Sequence, residues 1–283
     1  MKPPLWMRLL RLYGRNFPIH RGKARLAKLA FRRLPLPDRP FVAAVHSGIK
    51  IELWPWLWED FCTYINGSAE LYVLHYFRSL IHEHAVVLDV GAYIGIYALT
   101  AGAVATHGQV VAFEPDPRSA RRLANALAVN NIKHVHLCQC AAGDRPDTLQ
   151  LSLGAYPFQS SLQRKATPSI EEQVMVPQVT IDDYCAEMNL SRIDVMKIDT
   201  EGAELNVLRG ASGIIASARP ILIVELHRQQ SGHFGYTVED TLDHIRNLAY
   251  TLFQVEPGWL GPRLQPFSFR PGESRALLIA RPT

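Results

Sequence analysis

Cysteine is scarce in this chain. Cys62, Cys138, Cys140 and Cys185 are the four among 283 residues, and none forms a C-x-x-C pair. That excludes a disulfide scaffold, gives zinc knuckles and dithiol redox motifs no support, and fits a reducing, cytoplasmic setting. Internal repeats and low-complexity tracts are missing as well. With 48% apolar and 20% charged residues, the composition is globular, neither disordered nor fibrous. From Gly91 to Phe113 there is no Asp, Glu, Lys or Arg. A membrane helix needs about 20 apolar residues, so this gap superficially qualifies. Its internal order argues otherwise: a β-branched strand (Val86 to Val90), a glycine turn (Gly91 to Gly95), a small-residue helix, a break at His107-Gly108, then a second strand. That is a βαβ unit, whose apolar residues are buried in a parallel sheet.

Acidic residues are absent before Asp38. Lys2, Arg8, Arg11, Arg15, Arg21, Lys23, Arg25, Lys28, Arg32 and Arg33 take ten of the 30 basic residues, leaving 20 against 26 acids for the rest, about −6. The protein is a mildly acidic body with a basic N-terminal arm. Cations interrupt every apolar run there, so no secretory h-region forms. Leu5, Leu9 and Leu12, and again Ala27, Phe31 and Leu34, fall at helical spacing. Two readings stand: peripheral attachment to an anionic membrane or another polyanion, and a helical cap that packs on the body and solvates its other face. The second is the more ordinary outcome.

Three prolines between Pro35 and Pro40 mark a linker. The expected division is an arm (residues 1–40), an accessory segment (41–84) and a principal domain (85–283). Trp54, Trp56 and Trp58 in the accessory segment suit either packing or sugar stacking. A helix is expected from Ala69 to Ile81. Strands are predicted at 86–90, 110–114, 134–140, 193–198, 220–226, 250–255 and 275–280, with helices near 95–105, 117–129, 202–209 and 238–248. This alternation specifies an α/β fold with a doubly wound, mostly parallel seven-stranded, Rossmann-like sheet. Residues 143–178 interrupt the rhythm with a hairpin strand, Thr148 to Leu153, and a polar loop.

The first βα turn, Gly91-Ala92-Tyr93-Ile94-Gly95, is not the G-x-G-x-x-G of dinucleotide folds, because Tyr93 stands where the second glycine would be. A Walker-type phosphate loop is also absent. At the end of the next strand stands Glu114, 23 residues after Gly91, followed by Pro115 and Asp116. A carboxylate there can accept from both hydroxyls of a ribose. Asp116 and Pro117 suit a helix N-cap and first position. The pair of signals predicts a nucleoside without a pyrophosphate, the shape of S-adenosylmethionine. Asp89 would then face the amino group of its methionine part, directly or through water.

DVGAYIG, FEPDP, CAAGD, VTIDDY and above all Met196-Lys197-Ile198-Asp199-Thr200-Glu201-Gly202-Ala203-Glu204 with Val207-Leu208-Arg209-Gly210 resemble FkbM-type methyltransferases, from about Gly67 to Ala280. The resemblance implies a class I S-adenosylmethionine-dependent fold and methylation of hydroxyls on sugars of polyketides, glycolipids or surface polysaccharides. It implies cofactor contacts for Asp89, Gly91, Ala92, Tyr93, Gly95, Glu114, Pro115, Ala141 and Asp199. Members usually carry Asn at the position of Tyr93.

Methyl transfer requires the acceptor oxygen to be held in line and its proton removed. Asp199, Glu201, Glu204, Glu225 and His227 lie at or just after the ends of the fourth and fifth strands, and are the candidate catalytic groups. Glu201 and Glu204 also suit the first turn of a helix for its dipole alone. A histidine with an ordinary pKa of about 6.5 suits proton removal, so without a metal His227, or else a carboxylate of the cluster, is the candidate base. Asp199 with Glu225 or His227 could instead ligate a Mg²⁺-like ion. Lys197 either points away under the sheet or orients Asp199. In the insertion, Tyr156, Ser160 and Ser161, with Phe158 and Gln159, offer acceptor contacts, or else form a lid. A nicotinamide-dependent sugar enzyme lacks its phosphate loop and Tyr-x-x-x-Lys pair here. A non-catalytic membrane or polyanion adaptor would have no use for the acidic cluster, which also argues against nucleic acid.

Overall fold

The computed structural model describes residues 3–16, 23–68, 70–154, 162, 170–258, 261–269 and 272–283. In chain order the elements are α1 (Leu5–Asn16), α2 (Lys23–Arg33), β1 (Phe41–Ala44), β2 (Lys50–Leu53), α3 (Trp58–Asn66), α4 (Leu71–Leu80), β3 (Val86–Val90), α5 (Ile96–Gly102), β4 (Gln109–Phe113), α6 (Pro117–Val129), β5 (Val135–Cys138) and β6 (Ala141–Ala142). They continue with β7 (Asp147–Gly154), β8 (Ile170–Val179), α7 (Ile181–Glu187), β9 (Val195–Ile198), α8 (Glu204–Arg209), α9 (Ser212–Ala218), β10 (Ile221–His227), α10 (Arg228–His233), α11 (Val238–Asn247), β11 (Tyr250–Gly258), β12 (Gly261–Pro266) and β13 (Arg275–Pro282).

The main sheet runs β12-β11-β13-β10-β9-β3-β4-β5. Strands β10, β9, β3, β4 and β5 are parallel, while β13, β11 and β12 pair antiparallel. From β3 the chain builds outward through β4 to β5, then returns to β9 on the other flank of β3. The order therefore reverses between β3 and β9, the place where such sheets open a ligand crevice at their C-terminal ends. The sheet has eight described strands, not seven. The addition is β12, a Pro- and Gln-containing edge segment without buried positions, so no hydrophobic pattern announced it.

Local chemistry accounts for most elements. Four of the five β3 residues are buried, as both faces of a parallel sheet are covered. Asp116 caps α6, accepting from the Arg118 N–H at 2.7 Å, with Pro117 at the first position. Thr237 and Asp240 form a capping box on α11. The expected strand over 134–140 is shorter, because the chain leaves the sheet after Cys138 so that β6 can join β8. The insertion is a β7–β8 hairpin in a separate three-stranded sheet with β6. Arg118 donates to the Gly154 carbonyl at 2.9 Å and ties the hairpin to α6.

The arm and accessory segment share a core with the sheet: Met7, Ala27, Phe61 and Phe77 belong to the same buried cluster as Val87, Leu99 and Ile223. The tryptophans pack. Trp54 stacks on Trp56 and sits under the Arg122 guanidinium, and Trp58 meets Phe31 and Phe61. The fully buried Arg122 is ion-paired to Asp60 and donates to the Glu52 carbonyl at 2.8 Å, fastening β2 and α3 onto α6. No described helix is long and apolar enough to cross a membrane.

Candidate functional site

A cleft of about 270 Å³ lies over the C-terminal ends of β3, β4, β9 and β10, roofed by α3, α4 and the insertion. Its β3 wall is the glycine turn. Gly91 has φ +77°, and a Cβ there would stand 1.7 Å from the Asp199 carbonyl oxygen. Gly91 is thus required by the approach of the β9 tip. Gly95, at φ +84°, would drive a Cβ into Leu123 of α6. The N–H groups of Gly91 and Ala92 both donate to the Phe113 carbonyl, which holds β3 and β4 in register at the cleft. Tyr93 adopts φ +51°, a left-handed conformation that asparagine enters more easily than tyrosine. Its ring is held beside Arg122, whose Nη1 donates to the hydroxyl at 3.4 Å.

Asp89 departs from expectation. It is fully buried beneath the turn, accepts from the Ala98 N–H in the first turn of α5 at 2.9 Å, and lies 3.6 Å from Lys197 Nζ. Its carboxylate holds the first turn of α5 and Lys197 and is not itself part of the cleft lining, so it lies one layer behind the surface rather than on it. The β4 tip behaves differently. Glu114 lines the cleft, and its two oxygens accept from the N–H groups of Tyr93 (2.6 Å) and Asp116 (2.9 Å). Burial pushes its pKa up to about 7, against those two hydrogen bonds. Pro115, Cys140 and Ala141 line the same end.

The β9 and β10 tips bring the predicted cluster together. His227 is buried; its Nδ1 donates to Glu204 Oε1 at 3.1 Å. Its Nε2 lies 3.8 Å from Asp199, 3.6 Å from Glu201 and 3.8 Å from Glu225. Glu204 is more than a dipole partner, since it also accepts from the N–H groups of Thr200 and Gly202, at 3.2 and 2.8 Å. That grip holds the turn in which Glu201 has φ +52°, a strained setting for a side chain aimed at His227. Lys197 turns into the cleft: Nζ donates to the Gly91 carbonyl at 3.0 Å and to Asp199 at 3.3 Å.

Electrostatics correct the role expected of His227. Burial opposes its charge, but the hydrogen bond to Glu204 and the charges of Glu201 and Asp199 outweigh this and raise its pKa to about 10. The surrounding carboxylates therefore favour its protonated form at neutral pH, which works against a proton-accepting role. Burial alone would raise Asp199, yet Lys197 and His227 hold it below its ordinary value, so it stays ionised. Glu225 is pushed up to about 9 by burial and by Asp199 and Glu70, while Glu201 rises to about 7 through burial despite the opposing His227 charge. Asp199 is therefore held in its charged form, while burial draws Glu201 and Glu225 towards the neutral one.

Sequence reasoning missed two neighbours. Glu70, at the start of α4, lines the cleft and accepts from Tyr97 Oη at 3.1 Å; burial and the Asp199 charge push its pKa up. Arg275 sits opposite His227 across the β10–β13 ladder and reaches Glu225 at 3.3 Å. No motif marks these residues, because their proximity arises from strand pairing and from the accessory roof. For a metal, Asp199, Glu201 and His227 present ligand atoms within 4.8 Å of one another. Glu201 thus takes the position expected of Glu225, whose oxygen is engaged by Arg275. Tyr156, Phe158, Gln159, Ser160 and Ser161 lie outside the described residues; of that loop, Leu162 lines the cleft.

Residues 89–252 match the Methyltransferase FkbM domain. The chain is similar to Methyltransferase 1 of Beauveria bassiana, 25% identical over 239 residues that span 75% of this chain and 94% of that protein. It is similar to the 31-O-demethyl-FK506 methyltransferase FkbM of Streptomyces tacrolimicus, 28% identical over 208 residues, 62% of this chain and 74% of the other. The hexuronic acid methyltransferase AglP of Haloferax volcanii is 28% identical over 148 residues, 51% of this chain and 57% of its own length.

Proposed function

The chain belongs to the FkbM methyltransferase family, and from that premise we propose that this S-adenosylmethionine-dependent enzyme methylates a hydroxyl of a sugar, carried by a glycan, a glycolipid or a glycosylated natural product. Membership in a methyltransferase family sets aside the nicotinamide-dependent and non-catalytic alternatives. The observation that carries the reading is one cleft in which a nucleoside-type carboxylate, Glu114, and an ionised Asp199 beside two cations share a wall. The similarity to a hexuronic acid methyltransferase supports a sugar acceptor.

The cleft suits the cofactor. Glu114 keeps acceptor capacity beyond its two backbone donors and would hold the ribose hydroxyls. Pro115, Cys140 and Ala141 would line the base, and Ala92, Tyr93 and Glu70 the amino-acid end. When bound, S-adenosylmethionine supplies a methyl group on a sulfonium that departs as a neutral thioether. Asp199 accepts the hydrogen of the acceptor hydroxyl and fixes its oxygen. Lys197 and His227 keep Asp199 anionic, and Glu204 keeps His227 oriented.

The donor set also fits a divalent cation of the Mg²⁺ type, which would be held by Asp199, Glu201 and His227 with the imidazole proton displaced by the ion, Glu204 orienting the ring as a carboxylate behind a ligating histidine does. Such an ion would lower the pKa of a bound hydroxyl.

The test is methyl transfer from labelled cofactor to a panel of uronic acid and neutral glycosides, with and without chelator. A methylated glycoside product supports the reading. Labelled cofactor consumed only on peptide, nucleic-acid or amine acceptors overturns it.

A further inference from the structure

We propose that the N-terminal arm is a docking surface for an anionic lipid bilayer. This stands independently of the acceptor reading. α1 and α2 each have two apolar faces, one of them already used. Inward, Met7 is fully buried, a Cβ on Gly14 would collide with Ile65, and Ala27 and Ala30 are buried while Phe31 meets Trp58 and Phe61. Outward, Leu5 is 66% exposed, Leu9 56%, Leu12 59% and Leu29 57%, with Leu26 and Leu34 exposed too. Among the described residues, six of the ten exposed large hydrophobics lie on this arm. Helix packing on the body therefore does not explain the leucines.

The cations divide in the same way. Arg11 and Arg15 face inward and donate to the carbonyls of Ala44 and Tyr64, at 2.7 and 3.3 Å. Arg8, Arg25, Lys28, Arg32 and Arg33 are exposed and interleave with the outward leucines. Nothing acidic precedes Asp38, so the face is uniformly basic. Cations beside exposed leucines fit an anionic bilayer, whose headgroups answer the charge and whose acyl boundary takes the apolar side chains. A nucleic acid would answer the charge alone, and a second copy would set like charges against each other. The arm packs on α3, whose Asp60 and Thr63 line the cleft, so a docked membrane would lie one helix layer from the site.

The experiment is co-sedimentation of the full chain with vesicles of phosphatidylcholine alone and of an equal phosphatidylcholine–phosphatidylglycerol mixture. Wild type is expected to partition at least about tenfold more strongly onto the anionic vesicles, with loss at high salt. Leu5→Ser/Leu9→Ser/Leu12→Ser and, separately, Arg8→Glu/Arg25→Glu/Arg32→Glu should each reduce that partition by about tenfold or more. Both sets are exposed, so thermal unfolding should stay near wild type, and stabilisation by S-adenosylhomocysteine reads the cleft separately. Equal partition onto both vesicles, no partition at all, or leucine variants that bind unchanged would each overturn the proposal. So would a wild-type dimer that the leucine variant splits while vesicle binding persists.

Discussion

The carboxylates of Glu114 and Asp199 stand at the tips of strands that flank β3, and their environments drive them in opposite directions. Glu114 is held by two neutral N–H groups and rises to about 7. Asp199 is held by Lys197 and His227 and falls below its ordinary value. Desolvation works against the charge on both. Backbone dipoles offset only part of it at β4, whereas two nearby cations more than offset it at β9. The same residue class thus yields a titratable carboxyl at one tip and a held anion at the other.

The largest expected effect comes from breaking the β9 side. Asp199→Asn should cut turnover by about 10²–10⁴-fold, with S-adenosylhomocysteine affinity nearly unchanged, as measured by initial rates and calorimetry. Full activity in this variant would show that the anion is not the acceptor's partner. Lys197→Met removes the cation between Asp89 and Asp199 and leaves buried charge uncompensated. Denaturant unfolding should report a loss of about 3–5 kcal/mol.

Glu114→Gln should weaken S-adenosylhomocysteine by about 1.5–3 kcal/mol, the worth of hydrogen bonds to a charged acceptor, with kcat at saturating cofactor retained. The contrast sharpens with pH. Because burial raises the folded carboxyl from its ordinary 4.5 to about 7, its ionised form is lost as pH falls through 7, and with it the ribose contact proposed above. Wild-type affinity should fall by up to about tenfold per unit below that point, and the Gln variant should be flat. The smallest effect is expected at Tyr93→Asn. Relief at φ +51° is set against lost stacking on Arg122, so stability should move by no more than about 1 kcal/mol. The N–H to Glu114 is backbone, so the pH profile should persist.

Several parts were legible beforehand because they are written locally. The strands of the main sheet other than β12 follow apolar runs, α6 follows Asp116-Pro117, and the tips carry Glu114, Asp199, Glu225 and His227 where those runs stop. Other parts were not. Asp89 looked like a cleft residue because it precedes the glycine turn, yet it faces α5 and Lys197. An ordinary pKa is all that the local sequence suggests for His227, since nothing local discloses four surrounding carboxylates. The arm's periodicity showed apolar stripes without showing that Leu5, Leu9 and Leu12 would be left outside.

Periodicity, caps and glycine spacing act between residues a few positions apart, and that is why the amino-acid order alone sufficed for the βαβ alternation and for where the crevice opens. Which carboxylate keeps its charge, which glycine answers a neighbouring strand, and which arm face stays bare depend on burial and on distances between residues far apart in the chain. Those quantities exist only once β9 lies beside β3, β13 lies beside β10, and the accessory roof closes over them.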